Sequence, residues 1–177
     1  SGSGKTTIVR KLLEKNLNLE FSISACSREK RVNEVNGKDY YFYNIDEFKK
    51  KIDSGEFVEW EEVYHDHFYG TLKSEIERIR NQGKNVIFDV DVKGGMNLKE
   101  TYKDNALALF VMPPSVEELE RRLVERSVDE PKKIKLRIEK AESELKYAQK
   151  FDIVIYNDDL DKAVREAEKA IRNFIQI

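Results

Sequence analysis

Cysteine and histidine are scarce in this 177-residue sequence, which limits the chemistry that it can support. The single cysteine, Cys26, cannot form an intrachain disulfide, as is typical of proteins from a reducing intracellular compartment. The two histidines, His65 and His67, have no cysteine nearby, whereas a structural zinc site takes about four side-chain ligands. We therefore expect neither a disulfide framework nor a zinc site at these residues.

The sequence also lacks an excess of either charge and any long apolar run. Lys and Arg number 32 and Asp and Glu number 34, so the net charge is −2. Proteins that bind nucleic acids or membrane surfaces usually carry a basic excess, so neither partner is expected. No apolar run approaches the roughly 20 residues that cross a bilayer, and no secretory signal is recognisable. These absences predict a cytoplasmic protein, and they leave open whether it is a monomer or a homodimer.

Strand and helix patterns alternate along much of the chain. Helical spacing of apolar residues covers 6–15, 72–79, 116–126, 132–149 and 160–174. Short, mostly apolar runs that are typical of strands cover 21–25, 86–90, 106–111 and 151–156. Ser115 and Glu118 form a capping-box pattern at the start of one helix. This alternation predicts an α/β fold, with a parallel sheet flanked by helices on both faces.

Residues 25–70 interrupt this alternation. Aromatic-rich runs at 40–43 and 57–60 are typical of short strands there. We therefore expect a separate lobe that is inserted into the α/β core.

A phosphate-binding loop is predicted at the start of the sequence. Ser-Gly-Ser-Gly-Lys-Thr-Thr matches the end of the pattern Gly-x-x-x-x-Gly-Lys-[Ser/Thr]. Glycines let consecutive backbone N–H groups point at one phosphate, and the helix that follows adds partial positive charge. The predicted ATP-binding residues of the loop are Ser1, Gly2, Ser3, Gly4, Lys5, Thr6 and Thr7. Lys5 is expected to reach the β- and γ-phosphates, and the Thr6 hydroxyl to bind Mg²⁺.

The sequence does not contain the first glycine of this pattern or the strand that normally leads into the loop. That strand is usually internal to the sheet, and its loss would leave backbone groups of two neighbouring strands unpaired. We therefore expect the natural chain to extend upstream of Ser1 by at least one strand. The alternative interpretation, a flexible Gly/Ser terminus before a helix, is disfavoured because Gly-Lys-Thr-Thr leads directly into an amphipathic helix.

Several further segments resemble the guanylate kinases. They are residues 24–40, 57–60, 69–71 and 113–115, and the resemblance extends from the loop to 157–159. It implies a P-loop kinase fold with a parallel sheet core, an inserted mixed-sheet GMP-binding lobe and a helical lid. The implied single domain has a core of 1–24, 72–124 and 141–177, a lobe of 25–71 and a lid of about 125–140. The implied reaction transfers phosphate from ATP, with Mg²⁺, to GMP or dGMP.

The resemblance also implies how GMP is bound. The implied residues are Ser24, Arg28, Arg31, Tyr40, Glu59, Tyr69, Thr71, Asp89 and Asp91. Arg28 and Arg31 match arginines that bind the GMP phosphate, for which guanidinium forks are well suited. Ser24 and Tyr40 match hydroxyls at the same phosphate. Asp89 and Asp91 match acidic positions near the metal and acceptor site, and their separate roles stay open.

Guanine recognition is assigned to three of these residues. Glu59 matches a carboxylate that accepts hydrogen bonds from the guanine N1–H and exocyclic amine, and Thr71 matches a hydroxyl near O6, with Tyr69 in the same wall. AMP lacks both donors, so binding it would leave the carboxylate desolvated and unpaired. A site built on such pairs can reject the wrong analogue by roughly 10⁴-fold.

The remaining implied residues surround the transferred phosphate. Arg122, Arg126 and Arg137 match arginines that close over the phosphates, and Asn157 matches a position beside the adenine of ATP. Lys5, Arg31, Arg126 and Arg137 are therefore the candidate catalytic residues. An arginine that stabilises the charge of a phosphoryl-transfer transition state can be worth about 10³–10⁵ in rate.

Two alternative functions are also compatible with parts of this sequence. Guanylate-kinase-like scaffold domains bind phosphopeptides without catalysis, but they have typically lost the phosphate loop, which is intact here at Gly4, Lys5 and Thr6. A kinase for UMP/CMP or thymidylate is disfavoured by Glu59 and Thr71. The sequence also departs from the family pattern, for example at Asn33, where glycine is usual and the left-handed backbone conformation is expected to remain accessible.

Overall fold

The computed structural model describes residues 2–126 and 131–176, without the side chains of residues 126 and 131–134. The chain forms two compact units, one from Ser1–Leu17 with Asp104–Ile177 and the other from Asn18–Lys103. In chain order the helices are α1 (Lys5–Leu13), α2 (Ile45–Asp53), α3 (Lys73–Arg80), α4 (Val92–Tyr102), α5 (Val116–Arg126), α6 (Pro131–Leu145) and α7 (Leu160–Ile175). The strands are β1 (Leu19–Phe21), β2 (Ala25–Cys26), β3 (Tyr41–Phe42), β4 (Phe57–Tyr64), β5 (His67–Leu72), β6 (Asn85–Ile87), β7 (Leu109–Met112) and β8 (Ile153–Tyr156).

The first unit contains a parallel strand pair with helices. Strands β7 and β8 run parallel, with Leu109 opposite Ile153 and Met112 opposite Tyr156. Helix α7 begins where the Asp159 side chain accepts a hydrogen bond from the Lys162 backbone N–H. Its buried residues repeat at helical spacing, as its apolar pattern predicts, and they are Ala163, Val164, Ala167 and Ile171.

The second unit contains another parallel pair and a mixed sheet. Strands β1 and β6 run parallel, and the mixed sheet has the order β3-β2-β5-β4, in which β5 is antiparallel to both neighbours. Phe48 of α2 stacks on Phe57 and Phe68 of this sheet, at 4.5 and 5.7 Å between ring centroids. Parallel strands, flanking helices and an inserted mixed sheet confirm the predicted α/β architecture.

Several predicted boundaries are wrong. The strand expected over 86–90 ends at Ile87, and the helix expected over 132–149 ends at Leu145, before a 3₁₀ turn at Ala148–Lys150. Strand β7 covers only the end of the run at 106–111 and extends to Met112. Asn33 does not adopt the left-handed backbone conformation. Asp66, in the turn between β4 and β5, does adopt it, with a φ of 59°.

Helices α2 and α4 were not predicted. Helix α2 begins with a capping box. Asn44 Oδ1 accepts a hydrogen bond from the Glu47 backbone N–H, and the Glu47 side chain accepts one from the Asn44 backbone N–H. Helix α4 buries only Gly94 and Leu98, so its sequence has no apolar stripe to detect. In the part of the chain that the structure describes, no helix is long and apolar enough to cross a membrane.

Candidate active site

The phosphate loop leads directly into α1. Gly2 and Gly4 have φ values of 81° and 95°, in the left-handed region that glycine adopts without steric cost. The Gly4 carbonyl accepts hydrogen bonds from the backbone N–H groups of Thr7 and Ile8, both at 3.1 Å. The loop therefore ends at a helix N-terminus, where the partial positive charge favours a phosphate.

Asn157 holds this loop from the end of β8. Its Nδ2 donates to the Ser3 carbonyl at 2.7 Å, and both residues are buried. Its backbone N–H donates to the Met112 carbonyl at 2.8 Å, which ties it to β7. A Cβ atom at Gly4 would lie 2.2 Å from Asn157 Nδ2, so only glycine fits there. Sequence reasoning associated Asn157 with adenine, whereas in the structure its amide contacts the loop backbone.

An open cleft of about 460 Å³ lies beside the loop. Its size is within the range of about 300–1,000 Å³ that small-molecule sites occupy. The lining residues are Gly2, Gly4, Thr7, Arg122, Glu125, Asn157, Asp158 and Leu160. The cleft thus brings Gly2, Gly4 and Thr7 of the predicted loop together with Arg122 and Asn157.

Arg122 is held in this cleft by its own helix. Its Nε donates to Glu118 Oε1 at 2.8 Å, and Arg121 bonds the same carboxylate. The hydrogen bonds from Arg121 and Arg122 lower the pKa of Glu118 to about 2. Glu118 is therefore an anion at neutral pH, and its hydrogen bond fixes the direction of the Arg122 side chain.

The predicted lid arginines are only partly described. Arg137 is half-buried in α6, which packs on α5 through Leu119, Leu123 and Ala141. Ser1 and the side chain of Arg126 lie outside the described residues. The predicted boundaries of core, lobe and lid stay predictions.

Two of the three predicted base-recognition residues, Glu59 and Thr71, meet in the second unit. Glu59 of β4 lies directly opposite Thr71 of β5, so their side chains share one face of the sheet. Thr71 Oγ1 donates to Glu59 Oε1 at 2.6 Å, and the exposed fractions are 7% for Glu59 and 0% for Thr71. Burial raises the pKa of Glu59 to about 7, with smaller contributions from the charges of Asp91 and Glu61. The carboxylate is buried and accepts a hydrogen bond from Thr71. A buried carboxylate of this kind is suited to accept further hydrogen bonds from a ligand.

Arg28, one of the predicted phosphate-binding residues, contacts Tyr40 and shares Glu34 with the Arg31 backbone. Its guanidinium forms a bidentate ion pair with Glu34, and its carbon atom lies 5.0 Å from the centroid of the Tyr40 ring. The Tyr40 and Tyr69 rings make an edge contact at 6.1 Å. Arg31 is exposed, and its backbone N–H donates to Glu34 at 2.9 Å. Sequence reasoning missed Glu34, because nothing in its spacing distinguishes it from a solvated acidic residue.

Glu75 was also missed, although only 2% of it is exposed. Its carboxylate accepts from the Ile23 backbone N–H at 3.1 Å, the Tyr41 hydroxyl at 3.0 Å and the Arg78 guanidinium. Ile23 and Tyr41 are the chain neighbours of the predicted residues Ser24 and Tyr40. The Tyr41 backbone N–H also donates to the Ser24 carbonyl at 2.9 Å, so one buried carboxylate links the two segments.

Asp89 and Asp91 have different surroundings. Both follow the end of β6 and are half-buried. The Asp91 side chain caps α4 by accepting from the Gly94 backbone N–H at 2.9 Å. Asp89 is close enough to Tyr40 for its charge to act on that hydroxyl, although burial is the main cause of the raised pKa of Tyr40. These differences begin to separate two acidic residues that the sequence left equivalent.

A glycine loop that leads into a helix, beside a cleft and in a unit with parallel strands, defines the class of P-loop nucleotide-binding proteins. Comparison with known proteins narrows this class to one family. The guanylate kinase family model matches residues 1–174. The chain belongs to the guanylate kinase family.

Individual relatives agree over nearly the whole chain. A guanylate kinase of Porphyromonas gingivalis is 53% identical over 176 residues, which cover 99% of this chain and 94% of that protein. One of Bacteroides fragilis is 54% identical over 177 residues, which cover 100% of this chain and 87% of that protein. The crystal structure of guanylate kinase from Anaplasma phagocytophilum has a TM-score of 0.79 and 30% identity, covering 96% of this chain and 81% of that one. The P-loop kinase fold that the sequence predicted is confirmed.

Proposed function

We propose that this chain phosphorylates GMP and dGMP, with ATP as the phosphate donor. The main support for this proposal is the buried pair of Glu59 and Thr71, in which Thr71 Oγ1 lies 2.6 Å from Glu59 Oε1. The same chain also has a phosphate loop before α1. Membership of the guanylate kinase family supports the same activity, and the chain is accordingly an ATP- and nucleotide-binding transferase.

The donor half of the reaction is assigned to the first unit. The loop backbone at Gly2–Gly4 would bind the ATP phosphates, and Lys5 would neutralise the β- and γ-phosphates. Arg122 and Asn157, which line the same cleft, would complete the ATP site. The left-handed glycines and the Asn157 hydrogen bond hold the loop in shape before ATP arrives, so little ordering is needed on binding.

Mg²⁺ is the proposed cofactor, and the residues present fit it. The ion prefers oxygen ligands and usually keeps phosphates and water among them. Thr6 is an exposed residue in the first turn of α1, directly after Lys5, and its hydroxyl oxygen is a ligand of the kind that Mg²⁺ takes. When bound, the ion would neutralise charge that develops on the phosphates.

The acceptor half is assigned to the second unit. Glu59 would accept hydrogen bonds from the guanine N1–H and exocyclic amine, which would provide the donors that the buried carboxylate lacks. Thr71 would donate to guanine O6 only if its hydroxyl turned away from Glu59, because it donates to Glu59 here. AMP would leave the carboxylate unpaired, which gives the physical basis of base selection.

The GMP phosphate is assigned to Arg28 and Arg31, with the hydroxyls of Ser24 and Tyr40. Arg28 is oriented by its ion pair with Glu34, whereas the Arg31 side chain is exposed. An oxygen of this phosphate would attack the γ-phosphorus of ATP in line, and the bond to the β-phosphate oxygen would break, which releases ADP. Arg31, Arg126 and Arg137 would stabilise the charge that spreads over the transferred group.

The catalytically inactive scaffold is not favoured. Gly4, Lys5 and Thr6 of the phosphate loop are present, and Gly2 and Gly4 have the left-handed conformation. The proposal further includes the cytoplasm as the compartment, a monomer or homodimer as the active form, and no nucleic-acid or membrane partner. The near-neutral charge balance and the few cysteines support these assignments.

A coupled ADP-release assay with Mg²⁺ and ATP tests the activity. GMP is expected to give turnover far above AMP, CMP and UMP. Turnover with GMP no higher than with these three nucleotides would refute the proposed function.

A further inference from the structure

Gly94 lies against the carboxylate of Glu59. It occupies the first turn of α4, and a Cβ atom built on it would lie 2.9 Å from Glu59 Oε2 and 3.4 Å from Glu59 Cδ. A Cβ contact under about 3.0 Å is below normal van der Waals separation, so one of the two groups would have to move. The absence of a side chain at residue 94 thus creates the space in which the carboxylate lies.

We propose that Gly94 is a specificity-determining position of the GMP site, which leaves room for Glu59 to face the base. The inference rests on the proposed function, because it takes Glu59 as the group that binds guanine. It adds a residue without a side chain, which would act by leaving space for Glu59. Gly94 is therefore a positioning residue.

The surrounding contacts determine which group would move. The Gly94 backbone N–H donates to Asp91 Oδ1 at 2.9 Å, which anchors the start of α4. Further along the helix, Asn97 Nδ2 donates to Glu61 Oε1 at 3.1 Å, which ties α4 to β4. The nearest atom that a methyl group would meet, at 2.9 Å, is the end of the flexible Glu59 side chain, whereas the Val90 Cβ atom would lie at an ordinary contact distance of 3.4 Å. An added methyl group at residue 94 would therefore displace the Glu59 carboxylate while the helix stays in place.

Displacement of Glu59 has a specific consequence. Its carboxylate would lose the hydrogen bond from Thr71, at 2.6 Å, and the position from which it accepts two guanine donors. The fold should tolerate the change, since alanine is a better helix former than glycine. The expected defect is thus in base selection, in a protein that still folds.

IMP is the probe for this defect, because it has the N1–H and O6 of guanine and lacks the exocyclic amine. The ratio of kcat/KM for GMP to that for IMP is measured at saturating ATP in wild type, Gly94→Ala, Glu59→Gln and the double variant. Gly94→Ala is expected to lower the ratio about 10- to 100-fold, the size of a lost hydrogen bond to a charged acceptor. In the Glu59→Gln background the same change is expected to have no further effect on the ratio.

Asn97→Ala is the matched control, since it removes a contact between α4 and β4 without adding an atom beside Glu59. It should keep the wild-type ratio, and thermal unfolding should show Gly94→Ala folded. An unchanged ratio in Gly94→Ala, or an equal further loss in the Glu59→Gln background, overturns the inference alone. A wild-type enzyme without preference for GMP, or a Glu59→Gln enzyme that keeps it, overturns the proposed role of Glu59 itself.

Discussion

Arg28 and Glu34 form a bidentate ion pair, with the two terminal guanidinium nitrogens 2.7 and 2.6 Å from the two carboxylate oxygens. Only 11% of the Arg28 side chain and 17% of the Glu34 side chain are exposed. Glu34 also accepts the backbone N–H of Arg31, so one carboxylate holds the side chain of Arg28 and the backbone at Arg31. Arg28 is therefore held in a defined orientation before any ligand binds.

Replacing Glu34 by Gln should raise the KM for GMP about tenfold and leave the KM for ATP unchanged. A neutral amide cannot accept both guanidinium N–H bonds, so Arg28 would be less well oriented. Steady-state kinetics with each substrate varied provide the test. Glu29→Gln removes the same charge from the same loop but leaves the ion pair intact. A lower KM for GMP in Glu34→Gln would contradict the prediction, and it would mean that Glu34 competes with the phosphate for Arg28.

The same pair predicts acid sensitivity of the fold. Hydrogen bonds from Arg28 lower the pKa of Glu34 to about 2, from an ordinary value of 4.5. A lowered folded-state pKa stabilises the protein above pH 4.5, and this contribution is lost as the pH falls from 4.5 toward 2. The difference in Tm between wild type and Glu34→Gln should therefore shrink over this range. A difference that stays constant with pH would exclude the ion pair as its cause.

The raised pKa of Glu59 predicts that the kcat/KM for GMP depends on pH near neutrality. Its pKa of about 7 means that only part of the population has the carboxylate that guanine requires. The kcat/KM for GMP should rise as the pH increases through 7 and then level off. The GMP phosphate also titrates, near pH 6, so the profile of Glu59→Gln serves as the reference that cancels this effect. Parallel profiles for the two enzymes would refute the role of Glu59 ionisation.

The ionisation of Glu59 should affect the stability of the fold in the opposite direction to the activity, so that stability falls as the pH rises. Because the folded-state pKa is raised, the contribution of Glu59 is fully present below pH 4.5 and is lost as the pH rises through 7. Glu59→Gln should therefore gain Tm relative to wild type when the pH is raised from 5 to 8. Thermal unfolding at the two pH values measures this, and an equal Tm difference at both would contradict it.

Gly4→Ala should abolish ATP binding. The added Cβ would lie 2.2 Å from Asn157 Nδ2, which would break the hydrogen bond to Ser3 and distort the loop. Gly55 provides a matched control, because it is also left-handed, at φ 66°, and a Cβ there meets nothing within 4 Å. Gly55→Ala should lose some stability and no ATP affinity in calorimetric titration. Wild-type affinity in Gly4→Ala would show that the loop geometry described here is not required.

Lys5→Met should abolish turnover while GMP binding remains largely intact. The variant lacks the charge that neutralises the transferred phosphate, whereas the GMP residues lie in the other unit. Lys11→Met is a suitable control, because Lys11 belongs to the same helix and pairs with Asp161 at 3.4 Å. The ADP-release assay, together with calorimetric titration of GMP, distinguishes the two variants. Full activity in Lys5→Met would refute the assignment of the phosphate loop.

Local patterns in the sequence predicted a substantial part of this structure. Helix α7 was recognisable because its apolar residues repeat at helical spacing along a single face. The glycines and lysine of the phosphate loop were recognisable because this loop needs glycines for its tight backbone turn and a lysine for the phosphates, at a fixed spacing. Helix α4 escaped detection because two glycines and a polar face leave no periodic signal.

The sequence by itself determined the phosphate loop, the order of the strands and helices other than α2 and α4, and the family resemblance that named Glu59 and Thr71. The loop and the helices and strands depend on residues that are near one another in the chain. The resemblance depends on short motifs that occur in the family's order along the chain. Only the tertiary structure decided that Glu34 orients Arg28, that Glu75 links Ile23 to Tyr41, and that Gly94 leaves space for Glu59. These relationships depend on which side chains meet after strands pair and helices pack, and contacts between distant residues leave no periodic pattern in the sequence.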